Sequence, residues 1–484
     1  MEGEKLLTEN YRTMYHTMQI DKTTWLLFHP YSLRLFEIPD AIEGRILKLF
    51  EQFKKESDVS DILNVNIGKV RKTLEEYENL FLTQYPNGIR KTEKSFLWII
   101  TTTACNFRCR YCYVGNQEPS IMRWETLKKG IDLAFMKYPI KNIHFFGGEP
   151  LLNKDVIYKA IKYISNNYSD DIIYSMATNG SLIDQGFIDR IQDVKFIVAV
   201  SIDGPPDVHN LCRKNKNSLP SFKDVMRGVE LLKNGNILFS IEGTYSREAA
   251  LLGYTLRDIT EYLSSLSDII LIKPTSDFKL LGNLQRQLSP ENASYEVYSQ
   301  FPDYVSYLFD KILSDHPNYE LSLLDGLIPL INREICRPKS CGQNLTVTIM
   351  PNGDFYSCHL LMDKDMLLGN IDDGFTSNLK PLSDITDIAH TGKYYWVYPF
   401  QDICPVTFKD FKNSYPLEDN KIPEAIKLND LFWEQVIKNF YYCLKRNQLN
   451  KIKKNLKNYW SKYNLRRPIF RSSPSFGEQD VIQC

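Results

Sequence analysis

The chain has 484 residues, 43% apolar and 24% charged, an ordinary globular composition with room for about two to four domains. Its 59 basic and 59 acidic residues cancel, so no overall field draws it to nucleic acid or to a membrane surface. No apolar run nears the ~20 residues of a membrane span. Met1-Glu2-Gly3-Glu4-Lys5 lacks the basic-then-apolar form of a secretory signal, so a cytoplasmic location is expected, with the ten cysteines as metal ligands or free thiols.

Residues 1–92 read as a separate small domain. Segments 14–20, 24–28 and 33–38 are strand candidates. Two helical patterns follow: Ile42, Ile46, Leu49 and Phe50 share one face, and Val70, Leu74, Tyr77 and Leu80 another. Tyr85-Pro86-Asn87-Gly88 then breaks the chain. From 93 to 320 the pattern alternates. Strands are expected over 96–102, 142–146, 172–177, 196–202, 237–244 and 269–273. Helices are expected over 124–137, 155–167, 222–233 and 249–266. Repeated βα units imply an α/β fold, a parallel sheet with helices outside. Chemistry in such barrels gathers at the C-terminal ends of the strands.

The first strand runs into Thr103-Ala104-Cys105-Asn106-Phe107-Arg108-Cys109-Arg110-Tyr111-Cys112-Tyr113, with cysteines spaced C-x3-C-x2-C. A strand ending in a tight cysteine loop is a metal-site layout. Three thiolates can hold three irons of a 4Fe–4S cubane. With no fourth cysteine nearby one iron stays open, as a catalytic site needs. A zinc knuckle is the alternative, but the second cysteine pair that usually accompanies one does not follow. Strand two ends in Phe146-Gly147-Gly148-Glu149-Pro150, where glycines let backbone come close to a ligand. Strand three ends in Thr178-Asn179-Gly180. Strand four ends in Ser201-Ile202-Asp203-Gly204-Pro205, with His209-Asn210-Leu211-Cys212-Arg213 beyond. His144 and His209 receive no role.

A loop-rich stretch, 273–296, leads to a helical one, 298–313. A second cysteine group, in a segment expected to span 321–425, opens at Cys336 and Cys341. Strand 345–349, the turn Pro351-Asn352-Gly353-Asp354 and strand 355–359 form a hairpin that sets Cys341 opposite Cys358. Cys404 follows. Residues 426–484 read as a basic helical tail, with ten Lys or Arg from Lys445 to Arg471 and no acid among them. That run fits a patch for an acidic peptide or membrane surface, or a solvated helix face. Cys212, Cys443 and Cys484 stay unassigned.

With an aromatic residue just before its last cysteine, the first loop resembles the signature of the radical SAM enzymes. The resemblance implies a partial (β/α)6 barrel whose Cys105, Cys109 and Cys112 hold the cluster, with S-adenosylmethionine (SAM) chelating the open iron. Gly147, Gly148 and Glu149 match the family's GGEP motif for the SAM amino group. Ser201 and Arg213 match the positions for its carboxylate, which a guanidinium can bind bidentately. Tyr111 is expected beside the adenine, and Asn179 in the same site. The reduced cluster would split SAM into methionine and a 5′-deoxyadenosyl radical, which abstracts hydrogen from an unactivated C–H bond.

Cys341, Gly353 and Cys358 resemble the start of the SPASM extension of peptide-modifying members. Only Cys404 stands in its second half, closer to the shortened twitch form. Cys336, Cys341, Cys358 and Cys404 would then hold one auxiliary 4Fe–4S cluster, with His359 as a substitute ligand; the same thiolates also suit zinc. The 1–92 segment is similar to peptide-recognition modules of such maturases, in which a leader peptide adds as a strand; a structural extension fits the same order. The function implied is a maturase forming a thioether or carbon–carbon cross-link in a ribosomally made precursor peptide. Its partner would be a one-electron donor such as a flavodoxin or ferredoxin. Oxidation of a sulfatase-type cysteine or serine is the alternative, and an iron–sulfur or zinc protein without SAM turnover is one of another class.

Overall fold

The computed structural model describes residues 15–30, 33–53, 55–82, 94–112, 118–274, 290–332, 346–359, 367–376 and 424–463. Strands β1 (His16–Gln19), β2 (Trp25–His29) and β3 (Arg34–Ile38) form an antiparallel sheet in that order. β2 is buried on both faces, so Trp25-Leu26-Leu27-Phe28 is an unbroken apolar run. Trp25 and Leu27 join a small core with Ile46, Leu47, Val59, Val70 and Leu74 from helices Ala41–Phe53, Glu56–Leu63 and Ile67–Leu82. Leu26 and Phe28 belong to the main core. Helix Glu56–Leu63 was not expected. It buries Val59 alone, too little periodicity to register, and Asn64 closes it in the left-handed conformation at φ 51°.

The remaining strands are β4 (Phe96–Thr102), β5 (Phe107–Cys109), β6 (Asn142–Gly147), β7 (Ile173–Thr178), β8 (Phe196–Ser201), β9 (Arg213–Asn215), β10 (Leu238–Tyr245), β11 (Ile269–Pro274), β12 (Tyr319–Glu320), β13 (Thr346–Ile349), β14 (Asp354–Tyr356), β15 (Leu367–Asn370) and β16 (Gly374–Phe375). One sheet runs β12-β11-β10-β8-β7-β6-β4-β13-β14-β15-β16. From β4 to β11 the neighbours are parallel and in chain order, the expected βα series of a partial barrel. Residues facing the helices, such as Ile143, Phe145, Met176, Val198 and Val200, are fully buried. Those alternating with them, including Trp98, His144, Phe146, Ser175, Ser201 and Glu242, are half-buried and line the inner face.

The helix expected over 249–266 is two, Arg247–Leu251 and Leu256–Leu266. Gly253 at φ 86° interrupts it, and a Thr255–Asp258 capping box starts the second. β13 and β14 form the expected hairpin, and β13 also extends the sheet parallel to β4. Helix Leu321–Asn332 was not expected; it is apolar on nearly every side and enters the main core. Gly326 lets it approach Trp433: a Cβ there would lie 2.2 Å from the indole. Residues 426–463, read as part of a basic helical tail, lie in helices Glu424–Lys445 and Leu449–Tyr463, and Val436, Ile437, Phe440, Ile452 and Leu456 sit in the main core. Among the described residues no helix is long and apolar enough to cross a membrane.

Candidate active site

The cysteine loop is pinned at both ends. It leaves β4 at Thr102, and β5 pairs with β9 so that Cys109 lies opposite Arg213. The Arg110 amide donates to the Cys212 carbonyl at 3.0 Å. Cys105 and Cys109 are half-buried and Cys112 is exposed. The Phe107 amide donates to Cys105 Sγ at 3.3 Å. Burial pushes the Cys105 thiol up to about 12 and raises Cys109, so in the bare loop neither ionises readily at neutral pH. Thiolates form there when a positive centre supplies the countercharge, which is the chemistry of a thiolate-held cluster. Among the described residues no three His, Cys, Asp or Glu converge in single-ion geometry. A cubane takes each thiolate on a different iron. The donor set and its half-buried setting fit such a cluster.

Gly147 and Gly148 bring the end of β6 against this loop. A Cβ at Gly147, where φ is +150°, would lie 2.1 Å from the Thr102 carbonyl oxygen, and one at Gly148 2.2 Å from that of Ala104. The Gly148 amide donates to Thr102 at 2.8 Å and the Glu149 amide to Ala104 at 2.9 Å. The fully buried Glu149 carboxylate accepts from the Leu151 amide (3.0 Å), Thr178 Oγ1 (2.7 Å) and the Asn179 amide (2.7 Å), joining the ends of β6 and β7. Asn179 Nδ2 lies 2.8 Å from Asn106 Oδ1 and 4.0 Å from Cys105 Sγ.

Ser201 ends β8 beside Glu242 of β10. Beyond it, Asp203 is fully buried and meets Arg213 Nε at 2.9 Å, the Thr244 amide at 3.0 Å and the Tyr111 hydroxyl. The Arg213 guanidinium lies 5.3 Å from the Tyr111 ring centre. Ser221 Oγ donates to the Arg213 carbonyl, and His209 Nε2 sits 3.1 Å from Ser221 Oγ. Burial pulls His209 down to about 4, so it is neutral and structural. Strand-end motifs flagged Ser201 and Arg213; Asp203 lay inside one of those motifs and was passed over.

Deeper in the lumen, His144 Nδ1 is 2.8 Å from Ser175 Oγ, and burial lowers this histidine to about 4. Trp98 lies 4.3 Å from His144 and stacks on His359 at 4.2 Å and 11°. Burial raises the Glu242 carboxyl, with Lys273 and Arg213 opposing. An acid amid Leu238-Phe239-Ser240-Ile241 was its only sequence signal. Cys358, two residues past β14, is half-buried, and Cys212 and Cys443 are buried. Cys336, Cys341, Cys404, Tyr113 and Cys484 lie outside the described residues.

Residues 99–266 match the model of the radical SAM superfamily. An uncharacterized protein of Methanocaldococcus jannaschii is 34% identical over 207 residues, 41% of this chain and 71% of that protein. The chain belongs to the radical SAM superfamily. Another relative of this radical SAM enzyme is a cysteine-type anaerobic sulfatase-maturating enzyme of Clostridium perfringens, 28% identical over 295 residues, 56% of this chain and 76% of that one. The radical SAM cyclopropyl synthase TigE of Paramaledivibacter caminithermalis is 23% identical over 301 residues, 54% and 61% of the two chains. A solved structure of anSMEcpe with bound AdoMet shares the fold at a TM-score of 0.58 and 21% identity, covering 72% of this chain and 98% of that one. The superfamily implies a 4Fe–4S cluster and SAM as cofactors.

Proposed function

We propose that this radical SAM enzyme matures a ribosomally made peptide by forming a thioether or carbon–carbon cross-link. The observation that carries the reading is the convergence of the ends of β6 and β7, and of Asp203 and Arg213 beyond β8, on one three-cysteine loop. Cys105, Cys109 and Cys112 hold the cluster. Ser201 and Arg213 receive the SAM carboxylate, the Gly147-Gly148 backbone its amino group, and Tyr111 flanks the adenine. When bound, these cofactors supply one-electron cleavage of SAM and removal of a hydrogen atom from the substrate.

The chain's own residues do the rest. Trp98, His144, Phe146 and His359 wall the lumen with rings and keep water from the reacting carbon. Closing a bond onto sulfur releases a proton, and Glu242, its affinity for protons raised by burial, suits the acceptor role. Cys358, with Cys336, Cys341 and Cys404, would hold an auxiliary 4Fe–4S cluster, which would supply an acceptor for the surplus electron. A flavodoxin or ferredoxin supplies the first electron. β3 is an outer strand of the N-terminal sheet, where a peptide strand can add; the free edge of β1 is taken by Glu51 and Lys48, which bond the Thr17 amide and carbonyl. A solved structure of anSMEcpe, of like fold, carries AdoMet and a Cp18Cys peptide, which supports a peptide substrate here.

The second reading, oxidation of a sulfatase-type cysteine or serine, is favoured by the Clostridium perfringens relative. Reconstituted enzyme with dithionite and SAM separates the two when offered the precursor peptide from a neighbouring reading frame and, separately, a cysteine-containing sulfatase peptide. The cross-link reading expects turnover of the precursor to a cyclised product that has lost a pair of hydrogens and kept all its sulfur, read by mass spectrometry. Conversion of the sulfatase peptide alone refutes it.

A further inference from the structure

We propose that Asp203 is a positioning residue that locks the cysteine loop to the arginine assigned to SAM, so that loop and arginine bind as one unit. This rests on the reading of Arg213 given above. Donors from three separate segments reach the one buried carboxylate. The Tyr111 hydroxyl comes from the cysteine loop, between Cys109 and Cys112. Arg213 Nε comes from β9 at 2.9 Å, and the Thr244 amide from β10 at 3.0 Å.

The guanidinium meets Asp203 through Nε, so its terminal fork stays available for a bidentate carboxylate. Arg213 also stands opposite Cys109 in the β5–β9 pair. Asp203 therefore touches neither SAM nor cluster but fixes the side chains that do. Without it, Arg213 is a largely buried cation that has lost its hydrogen-bonded anion. The β5–β9 pairing and the Arg110–Cys212 bond join the same segments through backbone, so the loop keeps its place when the carboxylate is lost.

The test uses the full chain, reconstituted anaerobically with iron and sulfide, and SAM itself as ligand. Asp203→Asn is expected to keep its iron and to bind SAM about tenfold more weakly or worse by calorimetry. The potential of its first cluster, followed by electron paramagnetic resonance during a redox titration, should move positive because a nearby negative charge is gone. Arg213→Ala should weaken SAM comparably, and the double variant should lose no more than Arg213→Ala alone, since Asp203 acts through the arginine. Tyr111→Phe keeps the ring and removes only the hydroxyl tie. It should bind SAM about threefold more weakly, and it carries the test if Asp203→Asn does not retain iron.

Wild-type SAM affinity in Asp203→Asn beside a weakened Arg213→Ala overturns the inference alone. Additive losses in the double variant, or wild-type affinity in Tyr111→Phe, overturn it too. Wild-type affinity in Arg213→Ala overturns instead the assignment of that arginine to SAM.

Discussion

Glu242 faces the lumen between Ser201 of β8 and Leu271 of β11, with Lys273 close enough to act on its charge. A base must be ionised to work, so product formation should rise with pH through the raised pKa of this carboxyl. Glu242→Gln should lower product formation on the order of 10²–10⁴-fold and leave substrate-free SAM cleavage unchanged. Chromatography of 5′-deoxyadenosine and peptide from the same reaction checks both, and an equal loss of the two would contradict the role. Sequence spacing exposed Cys105, Cys109 and Cys112 because metal ligands come from nearby positions on one loop. Asp203 and Glu242 have partners dozens of residues away, such as Tyr111 and Thr244 or Ser201, and only folding makes them neighbours.

The N-terminal sheet and helix Glu424–Lys445 are fastened by charge. His16 Nδ1 meets Glu51 at 2.9 Å, and its Nε2 lies 3.7 Å from Glu434, an ion-pair rather than a hydrogen-bond distance. Burial works against a charged His16, but the two carboxylates outweigh it and raise its pKa above 6.5. Burial likewise works against Glu51 and Glu434, yet their partners hold both at about 2. The raised histidine stabilises fully below about 6.5 and loses its contribution as pH climbs through its folded value. The lowered carboxylates stabilise above about 4.5 and fail as pH falls toward about 2. The fastening should therefore be strongest from about pH 4.5 to 6.5. Thermal unfolding across pH should show an alkaline decline that His16→Gln flattens, with a loss on the order of 3 kcal/mol near pH 6; an unchanged profile would dismiss the pair. The same helix contributes Trp433, 3% exposed, and Trp433→Ala should cost about 3–5 kcal/mol in denaturant unfolding. Periodicity made this helix legible. It gave no hint of the partner, because an apolar stripe says that a face is buried and not against what.

Taken whole, the chain wraps its parallel strands in chain order, so the alternating βα pattern carried most of the architecture. The bounds of β4, β6, β7, β8, β10 and β11 fall within one residue of those read from the pattern. What the pattern left out joins across long separations: β13 beside β4, helix Leu321–Asn332 under Trp433, and β5 against β9. Of these, the β5–β9 pair lies at the strand ends, where the chemistry is assigned. The central claim is that Cys105, Cys109 and Cys112 hold a cubane with one iron left for SAM. Mössbauer spectroscopy of ⁵⁷Fe-reconstituted enzyme, before and after SAM, tests it most directly. The account predicts a 4Fe–4S cluster with one iron site whose parameters shift on adding SAM, lost in the triple Cys→Ala variant. Spectra in which no iron site answers to SAM, or in which such a site persists without these three cysteines, would contradict the account.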